Sequence, residues 1–273
     1  MPELPEVEIV KRSLLKFQEV KINNIKIINK NLRYKISGKL SKELKNKKIL
    51  KILRRSKYLI FKFKRQLLLA HLGMTGKFIV KNRSNLSHKH DHIHFILNNG
   101  ITLIYNDVRK FGFLKLYDTT NIKDVDFLLK LGPEPLNKSF DIKYFKNYIK
   151  NKKKNVKNLL MDQKFVSGLG NIYVNESLFR SKIHPLRSCQ KLNKKDIKNL
   201  VSNIKKILTS SILKGGSSIE NFKDIYGNNG NFQQSFYVYD RENEKCSRTL
   251  CQGKIKRFIV SSRSCYCCDT CQK

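Results

Sequence analysis

The sequence predicts an α+β protein in which a leading helix and a run of strands precede a helical part that ends in a cysteine cluster. Three observations carry this. Short stretches rich in Ile, Leu, Phe and Tyr follow one another over residues 20–118 without helices between them, which argues for a β-sandwich or barrel. Beyond residue 140 the apolar residues change to helical spacing. Six of the seven cysteines lie between Cys246 and Cys271, a clustering that reads as metal ligation rather than a disulfide framework.

Each element has a local reason. Leu4, Val7, Val10 and Leu14 recur at helical spacing, and Pro5 suits a first helical turn. Segments 48–63, 67–71 and 77–81 read as strands. Segments 92–97 and 101–105 flank Asn98-Asn99-Gly100, a strong hairpin signal. Gly132-Pro133-Glu134-Pro135 marks a boundary. Helices are expected at roughly 141–151, 155–162, 171–181 and 194–214, the last stopping at Gly215-Gly216. Residues 215–235, rich in Gly, Asn and Ser, read as a loop. Residues 254–260 and 264–267 form two strands joined at Ser261-Ser262-Arg263, which places Arg263 at a hairpin tip. The expected divisions are an N-terminal β domain over 1–131, a linker at 132–136, a helical domain over 137–238 and a metal-bound finger over 239–273.

Composition narrows the partner. The chain has 273 residues, with Lys+Arg 57 against Asp+Glu 21 and a formal net charge of +36. That excess points to a polyanion, and to nucleic acid ahead of an acidic membrane or protein. Some lysines are compositional filler, because the chain is also rich in Ile and Asn. No run of 18 apolar residues exists, and the acidic N-terminal stretch lacks the apolar core of a signal peptide. The expected location is therefore cytoplasmic, where thiols stay reduced.

The chemistry-bearing motif at the start is Pro2-Glu3. Initiator methionine is usually removed before a small residue, which would leave a secondary amine beside a carboxylate. An α-amino group titrates near 7.7–8 against about 10.4 for Lys, so it is free base on the order of hundreds of times more often at neutral pH. A helix N-terminus further disfavours its protonated form. Such an amine attacks electrophilic carbon and can form a Schiff base with a sugar aldehyde.

Other motifs point to metal and phosphate. Cys246-x4-Cys251-x16-Cys268-x2-Cys271 matches a four-thiolate Zn2+ site. The first pair is wider than the commoner two-residue spacing, and Cys265 and Cys267 are spare, so either could displace an assigned ligand. Gly168-Leu169-Gly170-Asn171 joins two short helices, lets backbone approach a phosphate, and offers Asn171 as a cap, with Lys157 on the preceding helix. Arg109 and Phe111, if extended, project the same way. With Met74 between two glycines they supply a cation and apolar wedges of the kind that fill the gap left by an extruded base. His88, His90, His92 and His94 would share a strand face, where contact with phosphate or solvent is commoner than metal binding. By charge alone Lys57 is one lysine among many.

Taken in order, these pieces resemble the bacterial formamidopyrimidine-DNA glycosylases, which repair oxidised purines. The resemblance runs nearly end to end: Pro2-Glu3-Leu4-Pro5-Glu6-Val7-Glu8, Lys57-Tyr58-Leu59, the stretches 71–76 and 106–112, Lys89-His90-Asp91-His92, Leu131-Gly132-Pro133-Glu134-Pro135-Leu136, Leu160-Met161-Asp162, 168–173, Ile183-His184-Pro185 and Cys268-x2-Cys271-Gln272-Lys273. It implies an N-terminal β-sandwich with the leading helix, then a helix–two-turns–helix domain with a β-hairpin zinc finger, with double-stranded damaged DNA in the cleft between them. It implies that Pro2 is the nucleophile at the sugar C1′, Glu3 the acid/base partner and Lys57 an aid to β-elimination. Arg263 then serves δ-elimination and phosphate contact. His90, Arg109 and Lys152 fall on DNA-contacting positions, Lys157 and Asn171 on phosphate-binding positions, and Met74, Arg109 and Phe111 on the trio that fills the vacated stack. One structural Zn2+, a monomer, no membrane and no nucleotide cofactor are expected. Ser217-Ser218 stands where relatives often have threonines, and Val108 where they often have proline.

Three other readings are weighed against this one. An endonuclease VIII-like enzyme would use the same amine on oxidised pyrimidines; Leu4 and the Met74/Arg109/Phe111 trio favour the purine enzyme. A non-catalytic damage-binding relative is disfavoured by intact Pro2, Glu3, Lys57 and Arg263. A zinc-finger transcription factor would need a base-reading helix, and none is evident.

Overall fold

The computed structural model describes residues 1–82, 88–218 and 222–273. By contacts the chain divides into two units, Met1–Leu129 with Lys214–Gln233, and Lys130–Leu213 with Gln234–Lys273.

The first unit begins with α1 (Leu4–Leu14), whose Leu4, Val7, Val10 and Leu14 are buried as their spacing requires. Each such side chain contributes about 1.5–3 kcal/mol on burial. Eight strands follow: β1 (Ile22–Ile27), β2 (Lys51–Arg55), β3 (Tyr58–Lys62), β4 (Leu67–His71), β5 (Lys77–Asn82), β6 (Asp91–Leu97), β7 (Ile101–Asn106) and β8 (Phe113–Tyr117). They form two antiparallel four-stranded sheets, ordered β1-β6-β7-β5 and β2-β3-β4-β8. Phe78, Phe95 and Leu103 from one sheet and Ile52, Phe61 and Leu68 from the other share one core with Val7, Val10 and Leu14. Two open sheets closing on a common core make a sandwich, not a barrel.

Two details differ from the strand reading. The stretch 48–63 is two strands, split by a tight turn at Ser56-Lys57 where Ser56 takes φ 57°. A short helix, α2 (Lys39–Leu44), interrupts the strand-rich stretch and buries Leu40 and Leu44, one turn apart. A second short helix, α3 (Asp126–Leu129), ends the continuous part of this unit. The Asn98-Asn99-Gly100 hairpin joins β6 to β7 with Gly100 at φ 81°.

The segment Lys214–Gln233 also belongs to this unit. Ile225 is buried in its core, Phe222 packs against it, and the N–H of Val80 donates to the carbonyl of Ile225 at 3.1 Å. Residues 219–221 of the expected 215–235 loop lie outside the described residues.

The second unit carries α4 (Ile142–Ile149), α5 (Val156–Met161), α6 (Asn171–Arg180), α7 (Lys194–Leu213), β9 (Lys256–Val260) and β10 (Arg263–Cys267). Asp141 caps α4 by accepting from the N–H of Tyr144 at 2.7 Å, and Asn155 caps α5 in the same way. The turns between α5 and α6 are held by Gln163, whose Oε1 accepts from the N–H of Gly168 at 2.7 Å and whose Nε2 donates to the carbonyl of Leu169 at 2.8 Å. Helix α7 packs on α6, with Tyr173 and Ser211 hydroxyls 2.6 Å apart. Gly215 and Gly216 follow α7 at φ 76° and 77°, the left-handed cap the glycine pair predicts.

Candidate functional site

Pro2 and Glu3 are buried at the start of α1. A capping box fixes this end: the N–H of Glu3 donates to Oε2 of Glu6 at 2.9 Å, and the Glu3 carboxylate accepts from the backbone of Glu6. The other Glu6 oxygen accepts from the N–H of Ser217 at 2.9 Å. One buried carboxylate thus clamps the helix start to the segment Lys214–Gln233 that returns to this unit.

Lys57, 7% exposed, sits in the β2–β3 turn. Arg54 ties this turn to α1. Its Nε donates to Glu8 at 2.8 Å and its Nη1 to the carbonyl of Ser56 at 2.9 Å. Arg54 and Arg12 together hold the Glu8 carboxyl below its usual range despite partial burial. Glu8 and Arg54 were not singled out by the sequence. Glu8 lies within the quoted N-terminal motif, but its partner is 46 residues away.

His71 lies where the charge of Lys57 is felt. Burial first, then Lys57 and Arg33, lower its pKa from 6.5 to about 4. Its Nδ1 accepts from the N–H of Gly73 at 3.1 Å, which requires a lone pair on that atom. A folded pKa below the unfolded one means that the unfolded chain binds the extra proton between pH 4 and 6.5, so stability is lost as pH falls through that window. At pH 5 the loss is about 2 kcal/mol. His71→Asn keeps an acceptor in place of Nδ1. It is expected to remove this part of the pH dependence, read as the difference between urea unfolding free energies at pH 7 and pH 5.

The loops that carry Met74, Arg109 and Phe111 are joined by a buried aspartate. Asp107 Oδ1 accepts from the Thr75 hydroxyl at 2.6 Å, and its Oδ2 accepts from the N–H of Gly112 at 2.8 Å. Thr75 in turn accepts from the N–H of Arg109 at 2.9 Å. The two loops touch through backbone: a Cβ on Gly73 would lie 2.4 Å from the Gly112 nitrogen, and Gly73 itself has φ 59°. Residues 107–112 do not meet the extended condition, since Lys110 takes φ 58°, and the Arg109 guanidinium lies over the Phe111 ring at 4.9 Å. Phe111 is 45% exposed, so it is not core. Arg109, Lys110 and Phe111 line an open groove of about 590 Å³ with Asn31, Leu32 and Arg33.

The histidines do not share a face. His88 and His90 precede β6, and His90 sits in a turn at φ 73°. His92 and His94 are buried rather than solvent-facing, bonded to the carbonyl of Asp107 at 2.9 Å and to Asp91 at 3.0 Å. A bulge between Asp91 and Ile93 breaks the alternation that the sequence suggested.

In the second unit, Lys157 and Asn171 converge on one atom. The Ser264 carbonyl accepts from Lys157 Nζ at 2.8 Å and from Asn171 Nδ2 at 2.9 Å. Lys157 is 1% exposed, and burial lowers its pKa. Asn171 is the first residue of α6 rather than its cap; Gly170 occupies the cap position. Asn175 braces Asn171 by donating to its carbonyl at 2.6 Å and accepts from the N–H of Tyr266 at 3.0 Å. The β9–β10 turn is Ser261-Ser262, both at positive φ, so the exposed Arg263 is the first residue of the return strand rather than part of the turn. Lys152 lies with its ammonium 4.9 Å over the Tyr148 ring.

Cys246, Cys251, Cys268 and Cys271 converge, with all four sulfurs within 4.8 Å of one another. Cys246 and Cys271 sulfurs are 3.8 Å apart, and those of Cys251 and Cys268 are 3.6 Å apart. A tetrahedral ion with Zn–S of about 2.3 Å has sulfur–sulfur edges of about 3.8 Å, so the cluster fits such an ion. The wider first spacing is absorbed by Leu250, at φ 66° and 99% exposed. Neither spare thiol joins this cluster: Cys265 lies against Lys157, and Cys267 donates to Asp269 at 3.2 Å.

No helix among the described residues is long and apolar enough to cross a membrane. Residues 1–114 match the formamidopyrimidine-DNA glycosylase N-terminal domain, and residues 131–223 match the formamidopyrimidine-DNA glycosylase H2TH domain. The chain is 40% identical over 275 residues to a formamidopyrimidine-DNA glycosylase of Rickettsia bellii, covering 100% of both. It is 39% identical over 283 residues to that of Roseobacter denitrificans, again covering 100% of both. Among solved structures it superposes with a TM-score of 0.91 and 38% identity on a Lactococcus lactis Fpg variant in complex with DNA containing Fapy-dG, covering 100% of both chains. A complex of the LlFpg protein with THF-DNA and an inhibitor gives the same TM-score at 39% identity. With both domain models matched and such identity across its full length, the chain belongs to the formamidopyrimidine-DNA glycosylase family.

Proposed function

We propose that this chain is a bifunctional DNA glycosylase and AP lyase that excises oxidised purines, 8-oxoguanine and formamidopyrimidines, from duplex DNA. The observation that carries the reading is the anchoring of the Pro2-Glu3 segment. Glu6 clamps the segment, and the Glu8–Arg54–Ser56 chain of bonds ties its helix to the Lys57 turn. A nucleophile and its helpers gain most when they are held rigidly before the substrate arrives.

In this reading Met1 is removed and the Pro2 nitrogen attacks C1′. The N–C1′ bond forms as the bond to the damaged base breaks, and the sugar ring opens to an iminium. Glu3 moves protons to and from the sugar. Loss of a C2′ proton, aided by Lys57, expels the 3′ phosphate. A second elimination, with loss of the C4′ proton and served by Arg263, expels the 5′ phosphate. Water then hydrolyses the iminium, breaking the N–C1′ bond to free the Pro2 amine and the unsaturated sugar aldehyde, which leaves a one-nucleotide gap. The iminium takes up the electron pair in each elimination, so no redox partner enters. Met74, Arg109 and Phe111 fill the vacated stack, and His90, Lys152, Lys157 and Asn171 contact the DNA backbone. The four cysteines hold one structural Zn2+ that keeps the finger folded and takes no part in bond breaking. The working divisions are a catalytic domain over 1–131, a linker over 132–136, a helical domain over 137–238 and the finger over 239–273, acting as a monomer.

The test is incision of duplexes carrying either 8-oxoguanine opposite cytosine or thymine glycol, with borohydride present. Cutting and a trapped adduct on the first substrate support the reading; cutting of the second alone would favour the oxidised-pyrimidine enzyme. Affinity should fall steeply with salt, because most contacts are to phosphate. Lys152→Ala is expected to weaken duplex binding and to lower the salt slope by about 1, measured by fluorescence anisotropy across a salt series.

A further inference from the structure

Cys267 is buried in the second unit and plays no part in the four-cysteine cluster. Its sulfur lies 3.2 Å from Oδ1 of Asp269, and the same oxygen lies 3.4 Å from Nε2 of His184. These three donors all fall within 4.8 Å of one another. A tetrahedral Zn2+ with thiolate, imidazole and carboxylate ligands has donor–donor edges of about 3.4–3.6 Å. Two sides of the triangle are already near that size, and the third is no longer than 4.8 Å.

The ligands come from separate stretches that are cross-braced. The N–H of His184 donates to the carbonyl of Lys273 at 2.9 Å, and the N–H of Lys273 donates to the carbonyl of Lys182 at 3.1 Å. Gln272 links Ile183 to Cys268, donating to the carbonyl of the first at 2.8 Å and accepting from the N–H of the second at 2.9 Å. The His184 ring stacks on Phe258. Lys256 holds the other carboxylate oxygen, Oδ2, at 2.8 Å. The carboxylate is therefore oriented by an outer partner without its ligating oxygen being taken. Ligation through Nε2 moves the ring proton to Nδ1 and gives up the long 3.3 Å bond accepted there from the N–H of Leu186, while the ion replaces the two contacts to Oδ1 of Asp269.

We propose that His184, Cys267 and Asp269 form a second metal site, which takes a divalent ion of Zn2+ type through three protein donors and leaves a fourth position for water. The mixed soft and hard donor set suits Zn2+ or Co2+ rather than Mg2+ or Ca2+. With three donors in place of four thiolates, and Asp269 part-exposed, it binds more weakly than the four-cysteine cluster. This site stands apart from the proposed chemistry and does not depend on it.

The full chain, loaded with one equivalent of Zn2+, is titrated with further Zn2+ against a chromophoric chelator. A second equivalent is expected in the parent. Cys267→Ser should bind only the first, and His184→Gln should bind the second at least about tenfold more weakly, with the first unchanged in both. Co2+ titration should give added sulfur-to-metal charge-transfer absorbance with the second equivalent in the parent and none in Cys267→Ser. Saturation of the parent at one equivalent would overturn the proposal. So would a second equivalent of unchanged affinity in Cys267→Ser.

Discussion

Pro2→Gln is expected to abolish strand cleavage while sparing DNA binding. A bulky second residue resists removal of Met1, so the terminal amine lies one residue out and is no longer part of a proline ring. Loss of a covalent nucleophile lowers turnover by about 10³-fold or more. Borohydride should then trap no adduct on a duplex with an abasic site, while affinity for an uncleavable abasic analogue stays within about threefold of the parent, since no phosphate contact is removed. The separation matters because Pro2 and Glu3 are buried beside the Glu6 clamp, and a change that merely loosened the first unit would weaken binding too. Circular dichroism and thermal unfolding of the variant guard against that outcome. Parental cleavage by a variant shown by mass to retain Met1 would remove the amine from the mechanism.

Metal extraction is expected to unfold the finger and leave the first unit intact. The apolar cluster under the finger comprises Phe179, Val238, Cys246, Ile255, Tyr266 and Cys268. Two of these six are prospective metal ligands, so the rest form too small a core to hold β9 and β10 unaided. Zn2+ binding to such four-thiolate sites supplies about 10–16 kcal/mol of apparent folding free energy. Treatment with a strong chelator should therefore expose the amides of β9 and β10 to hydrogen exchange, with loss of incision. The β-sheet amides of the first unit should stay protected, because their core holds no cysteine. Finger amides that remained protected after the metal was gone would show that packing alone suffices.

The parts of this protein legible in its sequence are those written in short spacings. The period of Leu4, Val7, Val10 and Leu14 gave the first helix, Asn98-Asn99-Gly100 a hairpin, and the cysteine intervals the four converging thiolates. Strand β1 was less visible, because only Ile22 and Ile25 of its Ile22–Ile27 stretch are buried. Long-range polar pairs were not legible at all. Glu8 meets Arg54 across 46 residues and Thr75 meets Asp107 across 32, and no local pattern encodes either. The histidine alternation misled because a turn at His90 and a bulge in β6 break the two-residue period. Cys267 read as a spare ligand for one cluster, whereas its neighbours in space, His184 and Asp269, make it part of another.

Because Lys214–Gln233 joins the first unit after the long helix of the second, the backbone changes unit three times. No single cut releases either half as a continuous fragment. A truncated chain ending after Leu129 would lose Ile225 from its core and Ser217 from Glu6. The complementary fragment 130–273 would carry Phe222 and Ile225 as orphaned apolar residues. Gene-level shuffling of the two halves among relatives is therefore hard to achieve, and a protease that nicks this connection should leave pieces that co-purify instead of separating.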